Sequence, residues 1–280
     1  MTNEIIKEIK LLHKNLRRRP VKRDNHALNY KTRKYFGSWN NAMKAAGYKV
    51  YTPQIPTLPK LSKFKELYYF LGLLLTDGHI PKDSKDYKIN LFTSYLEEKR
   101  IIIKLIKFLF NYDSSVKGRY TGFSNKTNYN IYISSKLVHK FLIDTFKLPI
   151  GNKSLTLKLD VCFHKLNPKY IGPFLLGVVD GDGDISPKSR YVRISSGSRF
   201  FLQDIQKLLD RLGITYGKIR KERTSYRLVI ASSHSLSKLY SIFYPTNFYY
   251  PRKKAKLDKL LKAKSFNLSV PTWRKLEIKL

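Results

Sequence analysis

The sequence predicts an α/β protein built from two pseudo-symmetric halves that repeat one order of elements, αββαββα, behind a small amino-terminal helical module. Three features carry that expectation. A short string occurs twice, as FLGLLLTDG at 70–78 and LLGVVDGDG at 175–183; several segments alternate polar and apolar side chains; and a proline-rich stretch separates a basic amino-terminal segment from the rest.

Composition sets the outer bounds. A chain of 280 residues that is 42% hydrophobic and 14% aromatic has apolar material for one or two ordinary cores. Fifty-five Lys and Arg against twenty Asp and Glu leave a formal charge of +35, which repels itself in a compact state unless an anionic partner neutralises it. Nucleic acid fits that requirement. A membrane-surface protein would need an amphipathic helix with a cationic face, or a polybasic block beside a long apolar span, and the sequence offers neither. The first residues, MTNEIIKEIKLLHKNLRRRP, lack the apolar stretch of a secretory signal, so an intracellular protein is expected. One cysteine, Cys162, and six scattered histidines argue against a disulfide framework and against structural zinc. Between Val161 and Phe163, Cys162 reads as a buried bystander thiol.

Residues 1–50 form the first module. A helical pattern runs from Glu4 to Leu16, a basic break follows at Arg17 to Pro20, and a second helical pattern passes through Trp39 to Ala46 before Gly47 stops it. Residues 51–61 carry Pro53, Pro56 and Pro59, a spacing that favours extended chain and marks a linker. The first half, 62–165, opens on a helix in which Phe64, Leu67, Tyr68, Leu71 and Leu75 keep helical spacing. Strands near Tyr87 to Thr93, a helix from Leu96 to Phe110, and strands near Val116 to Phe123 and Tyr129 to Ser134 follow. The second half, 166–280, repeats the order: a helix through Phe174 and Val178, a strand at Tyr191 to Ser195, a helix at Phe200 to Leu212, and strands at Ile214 to Arg223 and Tyr226 to Ala231.

In these strands Ile131 and Ile133 alternate with Asn130 and Tyr132, and Val192 and Ile194 with Arg193 and Ser195, so one face is core and the other wet. Lys117, Arg119, Tyr191, Arg193, Lys218, Arg220 and Arg227 fall on wet faces with Asn130 and Tyr132. A two-stranded ribbon of this chemistry can enter a major groove and meet phosphates and base edges.

The repeated string carries the chemistry. Each copy has Gly at its third position (Gly72, Gly177), a slim residue at its seventh (Thr76, Gly181), Asp at its eighth (Asp77, Asp182) and Gly at its ninth (Gly78, Gly183). Small residues let two helix backbones approach closely, and two such helices side by side bring Asp77 and Asp182 together at one end. Two carboxylates about 6 Å apart repel by about 3 kcal/mol at an effective dielectric of about 20, and helix C-termini add partial negative charge. A divalent cation resolves the conflict, and all-oxygen ligands favour Mg2+ over zinc. One Asp-Gly helix end is an ordinary turn signal; the pair in matching contexts is what carries the inference. The acidic run Asp180, Asp182, Asp184 fails as a calcium loop, with Ile185 where glycine is required and Tyr191 where the closing glutamate belongs.

The two strings resemble those of the LAGLIDADG homing endonuclease family. The resemblance implies a pseudo-twofold DNA-binding saddle that works as a monomer, cutting both strands of a long asymmetric duplex site and leaving short 3′ overhangs. It also implies that Asp77 and Asp182 ligate Mg2+ or another divalent cation, with the carbonyls of Thr76 and Gly181 as additional ligands. A basic residue late in each half then assists near the scissile phosphate: Lys153 in LPIGNKS, and Lys253 or Lys254 in YYPRKKAK. The sequence departs from the family pattern with Leu75 at position six and with Leu71 and Leu176 at position two, and a bulkier helix interface is expected. Two other readings share the scaffold: a maturase that assists splicing of intron RNA, and a DNA-binding protein that does not cut.

Phe36-Gly37-Ser38-Trp39-Asn40-Asn41-Ala42 through Ala45-Ala46-Gly47 resembles the small helical repeat attached to homing endonucleases. Phe36 and Trp39 are expected to fill a miniature core. Arg17, Arg18, Arg19, Lys22, Arg23, Arg33 and Lys34 are left for phosphates, as an accessory clamp on a mobile-element nuclease. Met1 at the start, and Glu277-Ile278-Lys279-Leu280 in place of a terminal His-Asn, lead to the expectation of a freestanding protein rather than an intein.

Overall fold

The computed structural model describes residues 1–50, 54–82, 86–121 and 126–262. The chain divides into two compact units between Gln54 and Ile55, inside the stretch read as a linker. Part of the strand expected to reach Phe123 lies outside the described residues.

The first unit holds α1 (Thr2–Leu16), α2 (His26–Phe36) and α3 (Trp39–Ala45). Ile5 and Ile9, one helical turn apart on α1, are buried with Leu28, Trp39, Ala42, Met43 and Ala46, and Phe36 packs against them. The ends are capped locally. Asn25 accepts from the Leu28 amide at 2.9 Å and the Ser38 hydroxyl from the Asn41 amide at 3.1 Å, while Gly37 turns the chain at φ 72. The sequence reading had no helix at α2. Of its residues just Leu28 and Thr32 are buried, too few to print a helical period on so basic a segment.

The second unit contains α4 (Phe64–Thr76), β1 (Gly78–His79), β2 (Lys88–Thr93), α5 (Leu96–Phe110), β3 (Ser115–Thr121), β4 (Lys126–Ser134) and α6 (Lys136–Phe146). After a short α7 (Val161–His164) the order returns as α8 (Pro168–Asp182), β5 (Gly183–Ser186), β6 (Tyr191–Ser196), α9 (Arg199–Arg211), β7 (Arg220–Glu222), β8 (Ser225–Ile230) and α10 (Ser233–Phe243), closed by α11 (Pro251–Lys262). Both sheets are antiparallel with the same strand order, β1-β2-β4-β3 and β5-β6-β8-β7. The internal repeat read from the sequence is therefore a repeat of topology.

One continuous core runs under both sheets. In the first half Ile89, Leu91, Ile131 and Ile133 reach down to meet Ile102, Leu105 and Ile106 of α5; in the second, Val192, Ile194, Leu228 and Ile230 meet Ile205, Leu208 and Leu209 of α9. Alternation along each strand leaves the opposite face for solvent. The strand expected from Ile214 shrinks to Arg220–Glu222: the chain before it leaves the sheet at Thr215 and meets β8 one residue out of register at Gly217. The Thr215 amide donates to Ser235 Oγ at 2.9 Å and the Gly217 amide to the Val229 carbonyl at 2.8 Å.

Helices α4 and α8 form the seam between the halves. A Cβ at Gly72 would fall on the Phe174 carbonyl oxygen, and one at Gly177 on the Tyr69 carbonyl oxygen. Here main chain meets main chain. Leu71 and Leu176 are both buried in the core, and the bulk expected from them does not separate the glycines. Among the described residues no helix is long and apolar enough to cross a membrane.

Candidate active site

The seam delivers both motif aspartates to one end of the helix pair. Asp77 caps α4, donating its amide to the Leu73 carbonyl at 2.9 Å and accepting from the Phe92 amide at 3.1 Å, so the first sheet holds it in register. Asp182 is the last residue of α8, whose end is closed by the Gly183 amide on Val179. Asp77 Oδ2 stands 3.4 Å from where a Cβ of Gly181 would be. The slim seventh position therefore lets the Asp77 carboxylate lie against the opposite helix.

Burial raises both acids, and for Asp77 the neighbouring acid adds to it. Asp77 is raised from 3.8 to about 7, first by burial and then by the Asp182 charge, with Lys253 and Lys153 opposing. Asp182 is more open to solvent, yet burial of its base still raises it against the pull of the same two lysines. Among the described residues neither carboxylate has an ion pair or a hydrogen bond to its oxygens. Two closely set oxygen-only side chains thus have ligand capacity to spare, a donor set that suits a hard divalent cation. No group of three or more His, Cys, Asp and Glu side chains suited to a metal occurs among the described residues, so further ligands must be main-chain, water or substrate oxygens. The Gly181 carbonyl already accepts from Lys253 at 3.0 Å, and the Thr76 hydroxyl turns back to the Gly72 and Leu73 carbonyls at 3.0 and 3.1 Å.

Lys153 and Lys253 both reach this end of the seam. The Lys153 ammonium donates to the Leu74 carbonyl at 2.5 Å; burial lowers it to about 8 although Asp182 and Asp77 favour its charge. Lys253, which is 5% exposed, is also lowered by burial, against Asp180 and Asp77. Lys254 is placed elsewhere. Consecutive residues of α11 point about 100° apart, and Lys254 turns to Asp258 at 3.0 Å and Tyr240 Oη at 3.3 Å.

Beneath the aspartates lies a polar layer that sequence reasoning missed. Asp180, fully packed, accepts from Tyr69 Oη of α4 and from the Tyr250 amide, each at 2.8 Å. Glu98 of α5 takes Arg252 of α11 at 2.7 Å and the Thr93 hydroxyl at 2.6 Å, and the Arg252 guanidinium lies 4.2 Å from the centre of the Tyr95 ring. These contacts tie one half to the other. Asp180 had a visible signal, an acid inside an apolar helix; Glu98 had none.

The wet faces collect the predicted binding residues. Cross-strand partners share a face, so the pairs Phe92 with Asn130, Asn130 with Lys117, and Asn128 with Arg119 make one polar, basic surface that includes Tyr132. The Asn130 side-chain oxygen is buried there with no partner among the described residues. On the second sheet Tyr191 Oη and Arg193 meet Asp184 at 3.2 and 3.1 Å. Arg220 faces Arg227 across β7 and β8, and Glu222 at 3.0 Å offsets just Arg227. Like charges directly opposed cost stability unless an anion bridges them. Lys218 sits in the irregular chain before β7, beside the groove floored by Val229. In the first unit Arg17, Arg19, Lys22, Arg23, Arg33 and Lys34 are exposed, whereas Arg18 is engaged by Asp24 through two contacts of 2.8 Å.

Three segments of the chain match models of known families. The homing endonuclease associated repeat matches residues 2–49, the WhiA LAGLIDADG-like domain 67–142, and the LAGLIDADG-like domain 169–243. A glutamine–fructose-6-phosphate aminotransferase of Methanocaldococcus jannaschii is 27% identical over 227 residues, 75% of this chain and 19% of that protein. A probable translation initiation factor IF-2 of Thermococcus kodakarensis is 25% identical over 237 residues, 84% of this chain and again 19% of that protein. The chain thus spans about a fifth of the length of these curated relatives. Among solved structures, I-DmoI in complex with DNA and Ca has 19% identity and a TM-score of 0.52, over 70% of this chain and 97% of that one. The homing endonuclease I-WcaI bound to its DNA recognition sequence has 16% identity and a TM-score of 0.51, over 71% and 87%. At these identities the likeness is one of fold.

Proposed function

This chain carries two LAGLIDADG-like domains behind a homing endonuclease associated repeat, and from that premise we propose that it is a site-specific, divalent-metal-dependent DNA endonuclease. The observation that carries the proposal is the pair Asp77 and Asp182, two crowded acids at the shared end of a glycine-tight helix seam, between two sheets with basic faces. The I-DmoI and I-WcaI structures of the same fold contain DNA, which favours a duplex as the occupant of those faces.

Each aspartate would give oxygens to Mg2+ or a related cation, with the Thr76 carbonyl able to add another and the Gly181 carbonyl already shared with Lys253. A cation held there would supply Lewis acidity to a phosphoryl oxygen and to an attacking water. The protein's own part is positional. Gly72 and Gly177 fix how far apart the carboxylates stand, and Asp180 and Glu98 stiffen the layer beneath. With its carboxyl raised to about 7 by burial and by Asp182, Asp77 would have to give up its proton below that pH to serve as a ligand. The sheet faces, with Lys117, Arg119, Asn130, Tyr132, Tyr191, Arg193, Lys218, Arg220 and Arg227, set the duplex across the seam, and the first unit's arginines and lysines lengthen the footprint. Because the two sheets differ residue by residue, the preferred site is long and asymmetric, and bending it adds selectivity. Cleavage of both strands with short 3′ overhangs by a monomer follows from the family resemblance.

The curated relatives have unrelated names, an aminotransferase and an initiation factor, and this chain resembles a fraction of each. A segment common to proteins of unrelated activity behaves as an inserted module, so their activities are not carried over, and a mobile-element role for the shared segment is the reading we favour. The test is incubation with a randomised plasmid library and Mg2+, followed by mapping of the ends. Recurrent double-strand breaks at one sequence support the nuclease; binding without breaks favours a non-cleaving DNA protein, and protein-dependent intron excision a maturase.

A further inference from the structure

The two lysines beside the aspartates are held differently, Lys253 by four main-chain carbonyls and Lys153 by one. Thr76 turns its hydroxyl back along its own helix, towards the Gly72 and Leu73 carbonyls. Gly181 has no hydroxyl to do the same, and it has to be small because a Cβ there would fall on Thr76 Oγ1. Neither hydroxyl nor glycine reaches the last carbonyls of its helix, which lack intrahelical partners and need others.

Lys253 supplies them. Its buried ammonium lies 2.7, 2.5, 3.0 and 2.9 Å from the carbonyl oxygens of Val179, Asp180, Gly181 and Gly183. An ammonium has three N–H donors, so these acceptors occupy all of them. Lys153 gives one donor to Leu74, and among the described residues its other two are unspent.

We infer that Lys253 is a structural cap of α8, and that Lys153 is the one lysine of the pair that acts directly on the attacking water or the scissile phosphate. The two strands are then cut by chemically unequal half-sites, and nicked duplex accumulates as an intermediate. This assignment rests on the nuclease reading.

The experiment compares Lys153→Met and Lys253→Met in two assays: melting in EDTA without DNA, and strand-resolved cleavage of a mapped target with Mg2+. Lys253→Met lowers Tm by about 5 °C or more and Lys153→Met by no more than about 2 °C, in proportion to the charged hydrogen bonds lost. Lys153→Met slows one strand about a hundredfold, the scale of a lost acid or base, and leaves the other near wild type. Equal Tm losses, or wild-type cutting of both strands by Lys153→Met, overturn the assignment. Should Lys253→Met not fold, the strand assay on Lys153→Met still decides it. A wild-type protein that cuts nothing would instead defeat the nuclease reading, with the melting comparison left to judge the cap.

Discussion

Asp77 illustrates what a side chain gives up to stand in a functional position. Its carboxyl is raised from 3.8 to about 7 in the metal-free fold, so the folded state holds a proton that the unfolded chain releases. Stability from this group is complete below about pH 4 and is lost as pH rises through about 7. In EDTA, Tm should therefore fall between those values, Asp77→Asn should lessen the fall while the raised Asp180 and Asp182 keep part of it, and millimolar Mg2+ should restore Tm on the alkaline side; a Tm that rises over that interval in the wild type and not in the variant would contradict this. The aspartates and the seam glycines were legible because each sits at a fixed place in a repeated string, while Lys153 was reached through the family resemblance. Glu98 and Arg252 were not legible, being 154 positions apart and brought together by the tertiary fold. The choice between Lys253 and Lys254 likewise needed the phase of α11, which a run of basic residues does not reveal.

At the scale of elements, the α4–α8 seam is the component that everything else depends on. Gly72→Ala places a methyl group on the Phe174 carbonyl oxygen and Gly177→Ala does so on that of Tyr69. Neither backbone has room to withdraw, and each substitution is expected to cost about 3 kcal/mol or more. Denaturant unfolding measures this, and a change under about 0.5 kcal/mol, the range of a neutral surface substitution, would mean that the seam is looser than described. Helices with a full apolar face were readable to their ends, as α5 was from Leu96 to Phe110. Elements that bury little were not: α2 hides two side chains, and β7 is short because Thr215 turns to Ser235 and Gly217 meets β8 one residue out of register, which no local pattern announces.

Across the whole molecule the dominant quantity is the charge of +35. If about six of the basic side chains neutralise phosphates, affinity for duplex DNA falls about a thousandfold between 50 and 200 mM salt. Replacing Arg17, Arg19, Arg33 and Lys34 by Ala should lessen the slope of log affinity against log salt by up to about 0.9 per residue while leaving the preferred sequence unchanged. An unchanged slope would remove the first unit from the binding surface. Substituting Arg220, which faces Arg227 across two strands, should instead alter sequence preference as well as affinity. The twofold repeat was legible from sequence, since two strings in matching contexts imply two like folds. Its breaking at Thr76 and Gly181 was not, because a side chain of one helix fills the space that the other leaves.

The central claim is that Asp77 and Asp182 jointly hold a cation over DNA that the rest of the surface has already bound. The most direct measurement pairs cleavage in Mg2+ with duplex affinity in Ca2+ for the wild type, Asp77→Asn and Asp182→Asn on one mapped target. The account predicts that both variants bind within about threefold of wild type and cut about a thousandfold more slowly, the several kcal/mol a catalytic cation supplies. Wild-type cleavage by either variant would contradict it.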